Sequence, residues 1–188
     1  MSESTKTSSA PTHGGVGTAL ADPTRGGPMA ATAVGLTKVY GSGATRVVAL
    51  DDVEVGFEAQ RLTAIMGPSG SGKSTLLHCM AGLDSVTDGE VRIGDTKISE
   101  LSDRQLTLLR RQRLGFIFQA FNLVPTLDAR ENITLPLAIA GVSPDGAWFD
   151  QVVSTVGLAD RLTHTPSELS GGQQQRVAAA RALVSKPE

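Results

Sequence analysis

Nine consecutive residues, Gly67-Pro68-Ser69-Gly70-Ser71-Gly72-Lys73-Ser74-Thr75, bring together the groups needed to hold a polyphosphate. Glycines at 67, 70 and 72 let the backbone curl so that successive N–H groups point inward at phosphate oxygens. A helix opening near Lys73 adds its positive dipole end to the same anion. The Lys73 ammonium suits the β- and γ-phosphates, and the Ser74 hydroxyl is a hard oxygen ligand for Mg²⁺. A second string, Leu169-Ser170-Gly171-Gly172-Gln173, places a serine and a glycine pair ahead of a helical stretch running from Gln173 to Val184. Ser170 and the N–H groups around Gly171 and Gly172 therefore form another anion site at a helix N-terminus. Alone, the first string could be a glycine turn before a helix and the second a helix cap. Their occurrence together, in this order, points to nucleotide chemistry.

The elements around the first string are those a phosphate loop requires. Val34 to Tyr40 reads as a strand, and Gly41-Ser42-Gly43 turns the chain. From Val47 the pattern has period two, with Val53, Val55 and Phe57 facing one way and Asp52, Glu54 and Glu58 the other, as in a half-covered antiparallel strand. Leu62 to Met66 is short and continuously apolar, which predicts a strand buried on both faces, running straight into Gly67. An apolar helix, Ser74–Ala81, follows the loop. Ser102 and Gln105 have the spacing of a capping box, so Ser102–Arg113 is expected to be a helix with Arg110, Arg111 and Arg113 on a solvated face. Ser143-Pro144 is expected to cap another helix, reaching through Trp148 and Val152 to Gly157.

The bulk composition sets limits. The chain has 188 residues, 40% of them hydrophobic, a net charge near −2 and one cysteine. That allows one ordinary core and gives no electrostatic case for nucleic acid as a partner. Cys79 lies in the apolar run Leu76–Ala81 and reads as a small buried hydrophobe. No apolar stretch approaches the roughly 20 residues that span a bilayer, so a role at a membrane would be peripheral. Seventeen of the first 30 residues are Gly, Pro, Ser or Thr. Residues 1–32 are therefore expected to form a disordered tail, and 33–188 the folded domain. Glycines and Pro23 interrupt every candidate signal-peptide core, which leaves cytoplasmic residence as the expectation.

With both strings in place, the chain from about residue 33 onward resembles the ATP-binding subunits of ATP-binding cassette (ABC) transporters. The resemblance implies an α/β phosphate-loop NTPase fold with an antiparallel β subdomain and a helical subdomain at about 120–170, incomplete at the C-terminus. It implies ATP and Mg²⁺ as ligands, and two cassettes paired head to tail. Each ATP is then clamped between the Lys73 loop of one subunit and Leu169–Gln173 of the other. Tyr40 stands where the family places an aromatic on adenine. Gln119, in Gly115-Phe116-Ile117-Phe118-Gln119, matches the glutamine that touches Mg²⁺ and senses the γ-phosphate. Gly82-Leu83-Asp84, the stretch Phe121–Leu127, Glu131-Asn132 and Leu135-Pro136-Leu137 resemble the branch of macrolide exporters and lipoprotein-releasing ATPases. The implied partners are a second ATPase subunit and a transmembrane permease, at the cytoplasmic face of the membrane.

Two departures from the family pattern stand out. Gln60-Arg61 replaces the usual Gly-Glu pair before the phosphate-loop strand. Beyond the signature helix the family has an apolar strand ending in an Mg²⁺-coordinating Asp, then a water-activating Glu and a γ-phosphate-contacting His. Residues 1–188 include none of these; His13, His78 and His164 all precede the signature. A polypeptide of these residues is therefore expected to hydrolyse ATP slowly or not at all, and to be poorly soluble for want of a core strand. The chain reads as part of a transporter ATPase. A nucleotide-binding module without hydrolysis and a non-transport ABC ATPase are the alternatives.

Overall fold

The computed structural model describes residues 27–187, so most of the expected N-terminal tail, residues 1–26, lies outside them. Strand β1 (Met29–Tyr40) pairs antiparallel with β2 (Val47–Glu58) on one side and β3 (Asp88–Ile93) on the other, and β4 (Thr96–Lys97) extends the sheet to the order β2-β1-β3-β4. Order thus begins before the expected boundary. Residues 29–32 belong to β1 because Ala31 and Thr32 pair with both Phe57-Gly56 and Ile93-Arg92, which satisfies their backbone groups on two sides. The period-two reading of β2 is borne out, with Val55 buried and Glu54 exposed.

Helix α1 (Lys73–Met80) lies against this sheet, with Leu76, Cys79 and Met80 joining Leu36, Val55 and Val91 in one core. Cys79 is 1% exposed, the buried hydrophobe its neighbours implied, and burial raises its thiol pKa. Helix α2 (Asp103–Arg113) opens with the expected capping box: the Ser102 hydroxyl accepts from the Gln105 N–H while Gln105 Oε1 accepts from the Ser102 N–H at 2.9 Å. The expected solvated face of α2 is corrected in part. Arg110 donates to the Gly82 carbonyl and Arg113 to Thr96 Oγ1, so these cations tie α2 to the end of α1 and to β4.

A second core unites α3 (Ala129–Ala140), α4 (Gly146–Thr155) and α5 (Gly171–Leu183) around Ile133, Phe149, Val152, Leu158 and Val177. The capping residue of α4 is Asp145, whose carboxylate accepts from the Trp148 N–H at 3.2 Å, and not the expected Ser143. A carboxylate at that position also favours the dipole of the first turn.

The expected buried strand at Leu62–Met66 does not form. These residues belong to no regular element and have no ladder partners, Leu62 is fully exposed and Met66 is 82% exposed. Gly115–Phe118 likewise lies outside any strand. A central strand needs neighbours on both edges for its N–H and C=O groups, and no described strand pairs with either stretch. Composition recorded their apolar character; pairing is a non-local property.

At the entry to Leu62–Met66, Gln60 occupies left-handed backbone with φ 59°. This is the position where the family pattern has glycine, so the turn is kept although a side chain strains it. Left-handed backbone costs an L-residue roughly 1–2 kcal/mol. Gln60→Gly is therefore expected to raise the urea unfolding midpoint, by about 0.5–1 kcal/mol once the added freedom of glycine in the unfolded chain is set against it. An unchanged or lower midpoint would refute the strain.

Candidate functional site

The phosphate string forms an exposed loop leading into α1. Gly72 is the N-terminal cap at φ 83°, and a Cβ there would lie 2.6 Å from the Ala49 carbonyl oxygen. Only glycine fits, both for its backbone conformation and for its close approach to β2. Gly70, at φ 78°, has open space where a Cβ would stand. The loop is therefore braced on its β2 side and open at Gly70. Lys73 folds back over it, donating from Nζ to the Pro68 carbonyl at 2.6 Å and to Ser71 Oγ at 3.3 Å. The ammonium is thus held at the loop by weak neutral acceptors that an anionic phosphate outcompetes.

Ser74 is exposed in the first turn of α1. Among the described residues no cluster of three or more His, Cys, Asp or Glu side chains forms a metal cage. A hydroxyl at a phosphate loop fits a cation such as Mg²⁺, which keeps several waters and draws ligands from substrate phosphates.

Tyr40 ends β1 and reaches toward α1. Its hydroxyl donates to Asp84 Oδ2 at 2.6 Å. The other Asp84 oxygen takes a proton from Lys38 Nζ at 2.7 Å, and the same ammonium sits 4.8 Å from the Tyr40 ring centroid. The lysine hydrogen bond, then that of the tyrosine, holds the Asp84 carboxyl below the usual aspartate value. The hydrogen bond to Asp84 and then burial push the Tyr40 phenol up. Sequence reading singled out Tyr40 and quoted Asp84 within a motif; it missed Lys38, whose signal was only its place two residues before Tyr40 on the same face of a strand.

Signature residues Leu169–Gln173 form the entry to α5. Ser170 is the cap, its Oγ accepting from the Gln173 N–H at 3.3 Å while Gln173 Oε1 accepts from the Ser170 N–H at 2.8 Å. Gly171 and Gly172 are the first two helical residues, and neither would meet any atom within 4 Å on gaining a Cβ. Gln174 fixes the approach by donating to the Pro166 and Leu169 carbonyls at 2.8 and 3.1 Å. The result is a braced helix N-terminus whose outer face is free for an anion or another surface.

Gln119 is exposed in a turn, and among the described residues no hydrogen bond joins it, or the signature, to the phosphate loop. A different connection exists. Arg181, near the end of α5, donates to the Asn122 and Phe121 carbonyls at 2.7 and 2.5 Å. Phe121 and Asn122 both have positive φ, 58° and 48°. The guanidinium therefore holds a strained turn just after Gln119, and partial burial lowers its pKa. The signature helix and the Gln119 turn are thereby one mechanical unit, a link between residues 60 apart that no sequence pattern disclosed.

The sequence model of a family described as ABC transporter matches residues 50–188. The chain belongs to the ABC transporter ATP-binding family. A lipoprotein-releasing system ATP-binding protein LolD of Geobacter metallireducens is 49% identical over 155 residues, covering 81% of this chain and 69% of that protein. The macrolide export ATP-binding/permease protein MacB of Bdellovibrio bacteriovorus is 44% identical over 156 residues, covering 81% of this chain and 24% of that protein. Among solved structures, the dimeric ATP-binding cassette MJ0796 in a post-hydrolysis state bound to ADP and Pi aligns with a TM-score of 0.75 at 41% identity, covering 84% of this chain and 70% of that one. The α/β cassette fold and the family expected from the two strings are both borne out. An ABC cassette with this loop is an ATP-binding domain of an ATPase subunit.

Proposed function

We propose that this cassette binds MgATP at residues 67–75 and pairs head to tail with a second cassette to drive a permease of the lipoprotein-releasing or macrolide-exporting kind. The observation that carries the reading is two open half-sites: among the described residues no hydrogen bond joins the loop at α1 to the capped N-terminus of α5, and Gly70, Gly171 and Gly172 all face empty space. Half-sites of this kind are completed by a second subunit, as the dimeric state of MJ0796 supports.

In this scheme the loop N–H groups and the Lys73 ammonium hold the β- and γ-phosphates, and Tyr40 stacks on adenine. Ser74 and Gln119 would hold a Mg²⁺ ion, which would supply neutralisation of charge on the phosphate oxygens. The partner's Ser170–Gly172 segment closes on the γ-phosphate side, where its helix dipole favours negative charge. A polypeptide of residues 1–188 alone is expected to turn over slowly, since the family's general base is not among them. No helix among the described residues is long and apolar enough to cross a membrane. Peripheral association through a permease is supported by a cavity of 390 Å³ between α2, α3 and the end of α5, lined by Leu83, Phe118, Pro136 and Ile139, and by Ile139 and Val142, which are 64% and 54% exposed.

The test is Gly171→Asp. Because a side chain there meets nothing in its own subunit, folding and ATP binding by the monomer are expected to be unchanged. The new carboxylate would face the partner's ATP, where like charges about 4 Å apart repel by roughly 1–4 kcal/mol. ATP-dependent dimerisation, measured by sedimentation, is expected to weaken by about tenfold or more. Weaker ATP binding by the monomer, or unaltered dimerisation, would contradict the head-to-tail arrangement.

A further inference from the structure

We propose that Lys38 and Asp84 are positioning residues that hold Tyr40 as a fixed platform for the nucleotide base and tie that platform to α1, the helix that the phosphate loop opens. The proposal rests on the reading of Tyr40 as the base platform and adds how the ring is held.

Lys38 is 6% exposed, an unusual position for a lysine. Its ammonium has three hydrogens and three acceptors: Asp84 Oδ1 at 2.7 Å, the Ser85 carbonyl at 2.6 Å and Ser85 Oγ at 3.3 Å. Its orientation is thus fully determined. From there it faces the Tyr40 ring, so one face of the ring is covered by a cation and a flat base has only the other to stack on. Asp84 accepts one bond on each oxygen, from the lysine and from the tyrosine hydroxyl, and so couples the two. Tyr40 nevertheless remains 40% exposed. A side chain that is half in solvent yet anchored at its far end is a preorganised surface: its rotamer is chosen before ligand arrives, which removes an ordering cost from binding.

Stability alone accounts poorly for the arrangement. A buried ion pair is about as well replaced by packed apolar groups, and this one is at the mouth of a site instead of in a core. The Asp84 N–H also donates to the His78 carbonyl of α1 at 3.3 Å. The base platform is therefore anchored on the same helix that the phosphate loop opens, so one element relates the two ends of the site. Nothing in the phosphate cradle itself requires Lys38, Asp84 or the Tyr40 hydroxyl.

The experiment compares the affinity of the 188-residue chain for MgATP and for magnesium tripolyphosphate, which has the phosphates and no base. Tyr40→Phe keeps the ring and removes the anchor; Asp84→Asn weakens it from the other side. Each is expected to weaken ATP binding by roughly three- to tenfold, the cost of ordering one freed side chain on binding, and to leave tripolyphosphate within about twofold. Lys38→Met is expected to follow the same pattern. It strips Asp84 of its counter-charge, so a variant that fails to fold would lose both ligands; Tyr40→Phe, at a half-exposed position, then decides alone. If Tyr40→Phe binds ATP as the native chain does while Tyr40→Ala loses it, the anchor is dispensable and the proposal falls, with the platform reading intact. If Tyr40→Ala also binds ATP normally, the platform reading falls with it. A parallel loss of both ligands in folded Tyr40→Phe would make the hydroxyl a structural prop of the loop and overturn the proposal.

Discussion

Lys73→Ala is expected to weaken MgATP binding by roughly ten- to a hundredfold, the equivalent of the 1.5–3 kcal/mol carried by a hydrogen bond to a charged group, with little change in unfolding midpoint. The asymmetry follows from the loop. In the folded chain the ammonium spends its hydrogens on the Pro68 carbonyl and Ser71 Oγ, neutral acceptors at a solvent-exposed loop, so its loss costs the fold little. Toward a triphosphate it is the one cation of the string, and the backbone N–H groups cannot replace its full charge. Lys73→Arg is expected to rescue only partly, because a planar fork does not substitute for a point charge inside a loop shaped around an ammonium. Calorimetric titration with MgATP checks both variants. An affinity within twofold of the native chain for Lys73→Ala would remove residues 67–75 as the phosphate site.

The largest effect on stability is expected at Asn132, in α3. This side chain is 0% exposed. Its Oδ1 accepts from the Val124 N–H at 2.7 Å, and its amide donates to the carbonyls of Val124, Leu127 and Asp128 at 3.1, 2.9 and 3.0 Å. One amide thus satisfies the backbone of the irregular stretch between the Gln119 turn and α3, which has no ladder of its own. Asn132→Ala leaves those groups unpaired inside the second core and is expected to cost about 2–4 kcal/mol, read from urea unfolding. Asn132→Asp keeps the acceptor, loses the donors and adds a buried charge, so it is expected to do no better. A cost below about 1 kcal/mol for Asn132→Ala would mean that water replaces the amide and that the clamp is not structural.

The form of the two strings was legible because it is local. A run of glycines ahead of Lys73 curls into a loop at the start of α1, and the capping boxes at Ser102–Gln105 and Ser170–Gln173 close within one helical turn. Antiparallel pairing of β2 was legible too, from its alternation. Apolar character at Leu62–Met66 was read correctly and the strand inferred from it was not, because hydrophobicity states what a segment avoids and not which edge it pairs with. The α4 cap moved from Ser143 to Asp145 for a smaller reason: both are capping residues, and the choice depends on where the preceding loop delivers the chain.

What the sequence determined by itself is the family and the local form of two strings, a glycine loop leading into α1 and a capped entry to α5, since each is short and its backbone geometry follows from its own residues. What only the tertiary structure decided is how those strings are held. Lys38 and Asp84 stand 46 residues apart, Trp148 reaches the Leu183 carbonyl across 35, and Arg181 reaches the Phe121 carbonyl across 60. Contacts over such separations depend on how sheet and helices close on one another. Side-chain hydrogen bonds form only once that closure has offset the entropy of bringing distant segments together.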